Sequence, residues 1–359
     1  MFDFVLAGLA EEITTAKIII THPIPCDRWI ARSALQKAIR RGEADIALAA
    51  LATLFEAVGE GIWRHLTVIA LEDIGAAGID TVARVVAAGR NRKWRALLGG
   101  DWRAASVLVC QMAAERHCQA ACDLLMRLTN DPLREGSRIA AMDRNPADLV
   151  DIIRDGDAEL MERAEAALAL GGGLAEEQPL HQAAAVFRAL EGIGFSSHVF
   201  VTCQAAWRLC RNPMALLLPF IWLEWMKERE VPSTDDLIPE TKMIDQVPAY
   251  AIDQFTRVGG QVARAFLVRN PALLAMMDSR RIHSASRARI VGDLIFLNEG
   301  GLVVNRPIWQ TADRLRLPHR PLPATFVLRE KLNEVLKYMA RKASDIEFLR
   351  RQNLFQANQ

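Results

Sequence analysis

Apolar residues recur every three or four positions over long stretches of the chain, and this spacing constrains the fold more than any other feature. Between residues 25 and 86 the pattern is interrupted at Gly42, Gly59 and Gly75. Such spacing places apolar side chains on one face of an α-helix, and glycine commonly ends a helix. Ala and Leu, both strong helix formers, dominate the 51% hydrophobic fraction. The sequence therefore predicts an all-α, multi-helix fold.

Candidate strands are few. Residues 294–297 and 302–304 flank a glycine-containing turn and form one candidate β-hairpin. Two stretches rich in glycine, proline and acidic residues, 171–179 and 228–240, have the composition of loops. We therefore expect three consecutive helical parts, residues 1–130, 131–230 and 231–359.

The chain ends in a segment whose apolar residues fall on one helical face. Leu328, Leu332, Val335 and Met339 share this face, and the other face is charged. The spacing predicts one long amphipathic helix over residues 325–355. That helix packs either against the body of the protein or against a partner chain.

The six cysteines carry no pattern of a metal or disulfide site. Cys118 and Cys122 lie four apart beside His117, but no second pair completes the four ligands of a zinc site. We expect small core residues and no metal or other cofactor. The apolar start of the chain lacks a basic segment, and the apolar run 214–226 is too short to span a bilayer. We therefore expect a cytoplasmic protein with free thiols and no membrane partner.

Basic residues cluster although the net charge is only +1. Between residues 257 and 289 there are seven arginines and one acid, Asp278. Such an asymmetry indicates a face for an anionic partner. The alternative is a solvated helical surface with salt bridges to acidic regions of the chain.

Three short motifs in the first part carry a family resemblance. They are Ser33–Leu48 (SALQKAIRRGEADIAL), Leu51–Glu56 (LATLFE) and Arg64–Gly75 (RHLTVIALEDIG). In order and spacing they resemble the C-terminal helical collar of the MgsA/RarA/WRNIP clamp-loader-like AAA+ ATPases, over roughly residues 28–88. The resemblance implies an oligomerising helical fold near DNA. It does not extend to ATP hydrolysis, because the chain contains no Gly-x-x-x-x-Gly-Lys-Ser/Thr loop.

Basic residues within and just before this region are candidate DNA contacts. Lys37, Arg40 and Arg41 are spaced for one helical face, and Arg28 and Arg32 lie upstream. Basic side chains neutralise phosphates. Trp29 is a candidate to stack on a base or to wedge into a base step, its alternative being a core position.

The densest group of polar residues lies between Ile238 and Gly260. A helix starting near Pro248 would place Tyr250, Asp253, Thr256 and Arg257 on one face. One interpretation is an Asp–Arg salt bridge with a tyrosine beside it. The other is a carboxylate at a DNA substrate, where it stabilises positive charge on deoxyribose during cleavage of an N-glycosidic bond.

The catalytic interpretation gives each polar residue a role. Asp253 is the charge stabiliser and base, and Glu240 or Asp245 contacts the flipped base or water. Tyr250 and Phe255 line the base pocket with Thr256, and Arg257 and Arg264 hold phosphates. Lys242 is the candidate for a Schiff base.

Two further motifs lie far apart in the chain, His22–Leu35 (HPIPCDRWIARSAL) near its start and Met243–Arg257 (MIDQVPAYAIDQFTR) in its later part. With them the chain resembles bacterial stand-alone phage-defence DNA glycosylases that remove modified cytosines. The resemblance implies a DNA glycosylase that excises a flipped, modified base. The alternative is a DNA-binding, homo-oligomerising scaffold, related to the replication-fork collars, that performs no chemistry.

Overall fold

The computed structural model describes residues 2–174, 182–228, 230–316, 328 and 330–357. These residues are mainly helical, and the only strands among them are four two-residue segments. The prediction of an all-α, multi-helix fold is therefore confirmed.

The chain forms two compact units, each built from three separate segments. Unit 1 comprises residues 1–18, 60–234 and 305–321, and unit 2 comprises residues 19–59, 235–304 and 322–359. The sequence indicated three consecutive parts instead. Loop composition marks where helices end, but it carries no information on which distant helices share a core.

Unit 1 is a helical body with a core of alanine, leucine and valine. Its helices are α1 (Phe2–Thr15), α4 (Ile62–Ile69), α5 (Ile79–Arg90), α6 (Arg92–Leu97), α7 (Asp101–Ala114), α8 (Ala120–Asn130), α9 (Glu135–Met142), α10 (Pro146–Arg154), α11 (Leu160–Gly171), α12 (Ala183–Leu190), α13 (Ser197–Cys210), α14 (Met214–Glu228) and α18 (Gln310–Arg316). One short antiparallel strand pair, β1 (Ser233–Thr234) with β4 (Arg306–Pro307), completes it.

Gly75 ends a helical stretch, as its place in the sequence predicts. A π-turn over Ala70–Ile74 follows α4, and Gly75 then adopts a left-handed φ of 56°. A Cβ atom at this position would lie 2.3 Å from the carbonyl oxygen of Cys118. Glycine is therefore required here both by the backbone conformation and by the close approach of the chain.

Among the described residues, one run of consecutive helical segments, α3 (Ala44–Val58) to α5 with the short turns between them, meets the length and composition of a membrane span. It extends from Ala44 to Arg90, and its most apolar stretch has a mean hydropathy of 1.5 and is 39% buried. Core helices of soluble proteins also meet this criterion, so the run assigns no location by itself.

Unit 2 contains the segments in which the sequence places most of the candidate site. Its helices are α2 (Arg28–Arg40), α3 (Ala44–Val58), α15 (Arg257–Val268), α16 (Pro271–Ser279), α17 (Ser284–Asn298), α19 (Leu332–Arg341) and α20 (Ala343–Ala357). Helix α2 packs on α3, and α15 packs on both α17 and α20. A small antiparallel hairpin joins β2 (Met243–Ile244) to β3 (Val247–Pro248).

Two predicted elements of unit 2 are wrong. Residues 294–297 form the end of α17 and not a strand, and every residue from Ile290 to Phe296 is buried, so this stretch carries no periodic signal. A short apolar run alone does not distinguish the two states. The predicted terminal helix is divided at Lys342 into α19 and α20, while residues 325–327 and 329 lie outside the described part.

None of the six cysteines, all of which lie in the described part of the chain, forms a disulfide. Cys118, Cys203 and Cys210 are buried, whereas Cys26 and Cys122 are half-buried. Burial raises the pKa of the Cys26 thiol to about 12, with a smaller contribution from Asp27. The described thiols are therefore mainly packing residues of low reactivity.

Candidate functional site

Asp253 lies in a loop and not on a helix. A short turn over Ala249–Ala251 follows β3, and α15 begins only at Arg257. Thr256 caps α15, because its Oγ1 accepts a hydrogen bond from the backbone N–H of Gly259 at 3.0 Å. The predicted helix from Pro248, with four polar residues on one face, is therefore wrong. Proline suits a first helical turn but does not require one.

Asp253 forms a buried ion pair with Lys37 of α2. Lys37 Nζ lies 2.5 Å from Asp253 Oδ2, and the two side chains are 4% and 1% exposed. Lys37 Nζ also lies 2.5 Å from Ser33 Oγ, one helical turn earlier. Burial lowers the pKa of Lys37, and the Asp253 carboxylate only partly offsets this effect. The pair is thus a carboxylate and an amine that are both buried from solvent.

Two glycines allow the chain to close around this pair. A Cβ on Gly259 would lie 1.8 Å from the carbonyl oxygen of Asp253, and one on Gly300 would lie 2.7 Å from Lys37 Cε. Asp253 Oδ1 also accepts a hydrogen bond from the backbone N–H of Phe255 at 3.1 Å. The Asp253 carboxylate is therefore held at Oδ2 by Lys37 and at Oδ1 by the backbone of Phe255.

An exposed aromatic ring stands beside the ion pair. Phe255 is 62% exposed. It meets buried Phe296 edge to face at 5.4 Å. Lys37 Nζ lies 5.7 Å from the centre of the Phe255 ring. On α2, Trp29 lies two turns before Lys37 and is 52% exposed, so the alternative of a core position is wrong, and a contact of Trp29 with a base stays a prediction.

A second buried network lies one helical turn further along, at Arg41. The Glu43 carboxylate accepts hydrogen bonds from Tyr250 Oη at 2.6 Å and from Arg41 Nε at 3.0 Å, and it also contacts Thr241 Oγ1. The Arg41 guanidinium stacks on the Tyr250 ring at 4.6 Å. Burial, and secondarily Glu43, raise the pKa of the Tyr250 phenol. Tyr250 therefore remains a neutral donor.

This network borders a cavity of about 140 Å³. Of the residues that the sequence proposes for base contact, the cavity brings together Glu240, Lys242 and Tyr250. Lys242 Nζ lies 2.6 Å from Glu347 Oε1 of α20, which raises the pKa of Lys242. Ile295, Met339 and Ile346 supply the apolar lining. The surface of the cavity is thus mainly apolar, with a few polar groups such as those of Glu240 and Lys242.

The remaining candidates divide by exposure. Asp245 is exposed at the tip of the β2–β3 turn, where its φ is 48°. Arg28, Arg257 and Arg264 are exposed, and Arg32 is half-buried. The exposed arginines can contact a phosphate without rearrangement. The conformation of Asp245 is that of a turn residue, which by itself accounts for an aspartate at this position.

Three basic residues predicted to bind DNA are buried instead. Lys37, Arg40 and Arg41 are 3%, 2% and 6% exposed. Arg40 donates a hydrogen bond to the Gly300 carbonyl at 3.1 Å, and Arg41 donates one to the Pro239 carbonyl at 2.6 Å. As surface phosphate contacts these three predictions are wrong, because the segment 235–304 covers this end of α2.

The sequence alone did not single out several residues of the site. Ser33 and Glu43 lie within the collar-like motif 33–48 but had no site role assigned, and Phe296 belongs to no motif; all three surround the candidate groups. Gly259 could have been found from the sequence. A Gly-Gly pair near the start of a helix disfavours the helix, so its presence indicates a close contact at this position. Among the described residues, no cluster of three or more His, Cys, Asp or Glu is arranged for a metal ion.

No family model, curated protein or solved structure matches the chain. The family resemblances drawn from its motifs therefore stay predictions.

Proposed function

We propose that the chain is a DNA glycosylase that cleaves the N-glycosidic bond of a flipped, modified base in phage defence. The observation that carries the proposal is the buried Lys37–Asp253 pair, 2.5 Å apart, beside the exposed ring of Phe255. A lysine and a carboxylate that share a dry site are costly to a fold, and such groups are frequent in active sites.

Asp253 has the chemistry that bond cleavage needs. As the base leaves with the electron pair of the glycosidic bond, positive charge develops on the deoxyribose, and a nearby carboxylate stabilises it. Water then adds to the sugar carbon, and its proton passes to the carboxylate and on to solvent or base. The hydrogen bond from Phe255 N holds the carboxylate in one orientation.

Lys37 replaces Lys242 as the proposed amine. The pKa of Lys37 is lowered by burial, so its neutral form is accessible, whereas Glu347 raises the pKa of exposed Lys242. In this alternative to water attack, the neutral amine forms a bond to the sugar carbon as the base leaves with the glycosidic electron pair. The amine then gives a proton to the Asp253 carboxylate, the bond from that carbon to the ring oxygen breaks, and the ring oxygen takes a proton, which leaves a Schiff base. Lys242 is then a contact to the base at the cavity.

The cavity beside Arg41 is the proposed base pocket. Arg41 lies four residues after Lys37 on the same helix, about one turn away. Tyr250 offers a ring, while Glu240 and Lys242 offer an acceptor and a donor for the edge of a base. Arg28, Arg257 and Arg264 are exposed to meet the DNA backbone.

A DNA-binding scaffold without chemistry is the second candidate. It is favoured by one observation, the exposure of Arg28 and Trp29 on α2, with the guanidinium 4.9 Å from the ring centre. This pair suits stacking on unpaired bases and contact with phosphate whether or not a bond is broken. In that case the Lys37–Asp253 pair has only a structural role.

The two candidates are separated by assaying abasic sites in labelled duplexes incubated with the protein in EDTA. The duplexes carry unmodified cytosine, uracil, hydroxymethylcytosine or glucosylated cytosine. We expect abasic sites on at least one modified duplex and their loss in Asp253→Asn. Borohydride trapping of a covalent complex, lost in Lys37→Met, assigns the amine.

Asp245→Asn is the matched control, because it makes the same chemical change at an exposed turn whose conformation Asn readily adopts. Retained activity in this variant and loss in Asp253→Asn support the proposal. DNA binding with no abasic sites on any duplex contradicts it and favours the scaffold. Circular dichroism confirms that each variant is folded.

A further inference from the structure

The arginine-rich part of unit 2 extends beyond the proposed DNA contacts Arg257 and Arg264. It continues through α16 and the start of α17, and both helices pack on α15. Two of its arginines are neutralised locally, Arg280 by Glu330 at 3.5 Å and Arg287 by Asp278 at 2.6 Å. These ion pairs account for the only acid between residues 257 and 289.

Five arginines of this part are exposed and form no ion pair with another residue in the described part of the chain. Arg269 is held by Gln352 and the Phe348 ring, and the other four are Arg257, Arg264, Arg281 and Arg289. Arg257 and Arg264 lie seven residues apart on α15, hence on one face and about 10 Å apart along the axis. These four uncompensated guanidinium groups, on α15, on α17 and in the turn between α16 and α17, concentrate positive potential on this part of unit 2.

Arg281 occupies a backbone conformation that normally belongs to glycine. Its φ is 55°. The N–H of Ile282 bonds to the Met277 carbonyl at 3.0 Å, and that of Arg281 bonds to the Asp278 carbonyl at 2.9 Å, which is the hydrogen-bond pattern of a helix end with a left-handed residue. Glycine would adopt this conformation without strain. An arginine here lowers stability relative to glycine, and its side chain lies in solvent.

We infer that Arg281 and Arg289 form a second contact surface for the phosphate backbone of duplex DNA, continuous with Arg257 and Arg264. The inference rests on the proposed function, which makes DNA the substrate. Guanidinium groups bind phosphates with paired hydrogen bonds, and exposed ones do so without breaking an internal ion pair. The surface holds the duplex in position while the site acts on one base.

The salt dependence of DNA binding tests this surface. Binding of full-length protein to a fluorescent, unmodified duplex is measured over a series of salt concentrations, for the wild type and for Arg281→Gly/Arg289→Gln. Each lost phosphate contact lowers the slope of log K against log salt by about 0.9, so the double variant is expected to lose about 2.

Arg211→Gly is a matched control in unit 1. Arg211 is also an exposed arginine at a helix end with a φ of 55°. The substitution therefore removes the same charge and relieves the same strain. Both single glycine variants should melt at a higher temperature than the wild type, which shows that they are folded. Of the two single variants, only Arg281→Gly should show a smaller slope of log K against log salt.

Equal slopes for Arg281→Gly, Arg211→Gly and the wild type overturn the inference, as does a wild type that shows no salt-dependent binding. Abasic-site formation is measured separately at saturating protein concentration. Abasic sites with an unchanged slope leave the proposed function standing without the second surface. A reduced slope without abasic sites supports the surface and contradicts the glycosylase.

Discussion

At the scale of single residues, the Lys37–Asp253 pair is the feature of the molecule most difficult to explain by folding alone. Desolvating two charges costs several kcal/mol for each ion, and the attraction between them roughly offsets this cost. Apolar side chains of similar volume would stabilise the same position at least as well. We therefore expect the pair to lower stability or leave it unchanged, and to be required for activity.

The pH dependence of stability tests the state of Lys37. Its pKa is lower in the folded chain than the ordinary value of 10.5, so the folded protein binds fewer protons at this residue than the unfolded one. Between the lowered pKa and 10.5, stability therefore rises with pH. Urea unfolding of the wild type and of Lys37→Met/Asp253→Leu at several pH values should show the wild type gaining relative stability toward pH 10. If the difference in unfolding free energy between the two proteins stays the same at every pH, the pKa of Lys37 is not lowered in the folded chain.

Two adjacent glycines test how tightly Asp253 is held. In Gly259→Ala the new Cβ would overlap the Asp253 carbonyl, and we expect a loss of about 1–3 kcal/mol together with loss of activity. Gly260 has no atom within 4 Å of its Cβ position. Gly260→Ala should therefore stabilise the helix by about 0.5–1 kcal/mol and retain activity. Urea unfolding midpoints measure the change in stability, and the abasic-site assay measures activity. Equal midpoints for the two variants would show that a Cβ at position 259 does not overlap the Asp253 carbonyl.

Sequence reasoning selected Asp253 for a reason that the structure does not support. The expected helical face with Arg257 does not exist, and the true partner, Lys37, is 216 residues away. Polar density within eighteen residues of sequence was still a useful signal, because Tyr250 and Asp253 both join buried networks. Two residues so far apart in sequence share no helical or strand spacing. Lys37 could therefore not be predicted as the partner of Asp253.

At the scale of elements, helix positions followed from the apolar spacing, and Gly42, Gly59 and Gly75 marked real interruptions. The start of α15 could not be predicted in the same way. Pro248 and Thr256 are both good first-turn or capping residues, and only the contact of Asp253 with α2 decides between them. The helix therefore begins where tertiary packing requires it.

The cap of α15 gives a prediction at this scale. Thr256 Oγ1 accepts from Gly259 N and donates to the Asp253 carbonyl at 2.9 Å, so it joins the helix to the loop. Thr256→Ala should lower stability by about 1 kcal/mol, and Thr256→Ser should retain most of it. Thermal unfolding measures the difference. If alanine and serine behave alike, the hydroxyl does not cap α15.

At the scale of the whole molecule, each unit depends on three distant segments of the chain. Destabilising one segment should therefore expose all three segments of its unit. Leu349 of α20 is 1% exposed and Leu108 of α7 is fully buried. Truncation of either to alanine should cost about 2–5 kcal/mol.

Hydrogen exchange by mass spectrometry on the full chain reads out this dependence. In Leu349→Ala we expect faster exchange in α2, in α15–α17 and in α19–α20 together, with α4–α8 less affected. Leu108→Ala should produce the opposite pattern. Faster exchange confined to the mutated helix would show that the segments of a unit do not unfold cooperatively.

The distance along the chain between Lys37 and Asp253 also has a consequence for synthesis. At about 5–20 residues per second, α2 leaves the ribosome roughly 10–40 s before the loop that carries the carboxylate. During this time the lysine has no counter-charge and stays in water. If the pair breaks glycosidic bonds, then nascent and prematurely terminated chains are harmless to the genome of the cell that makes them.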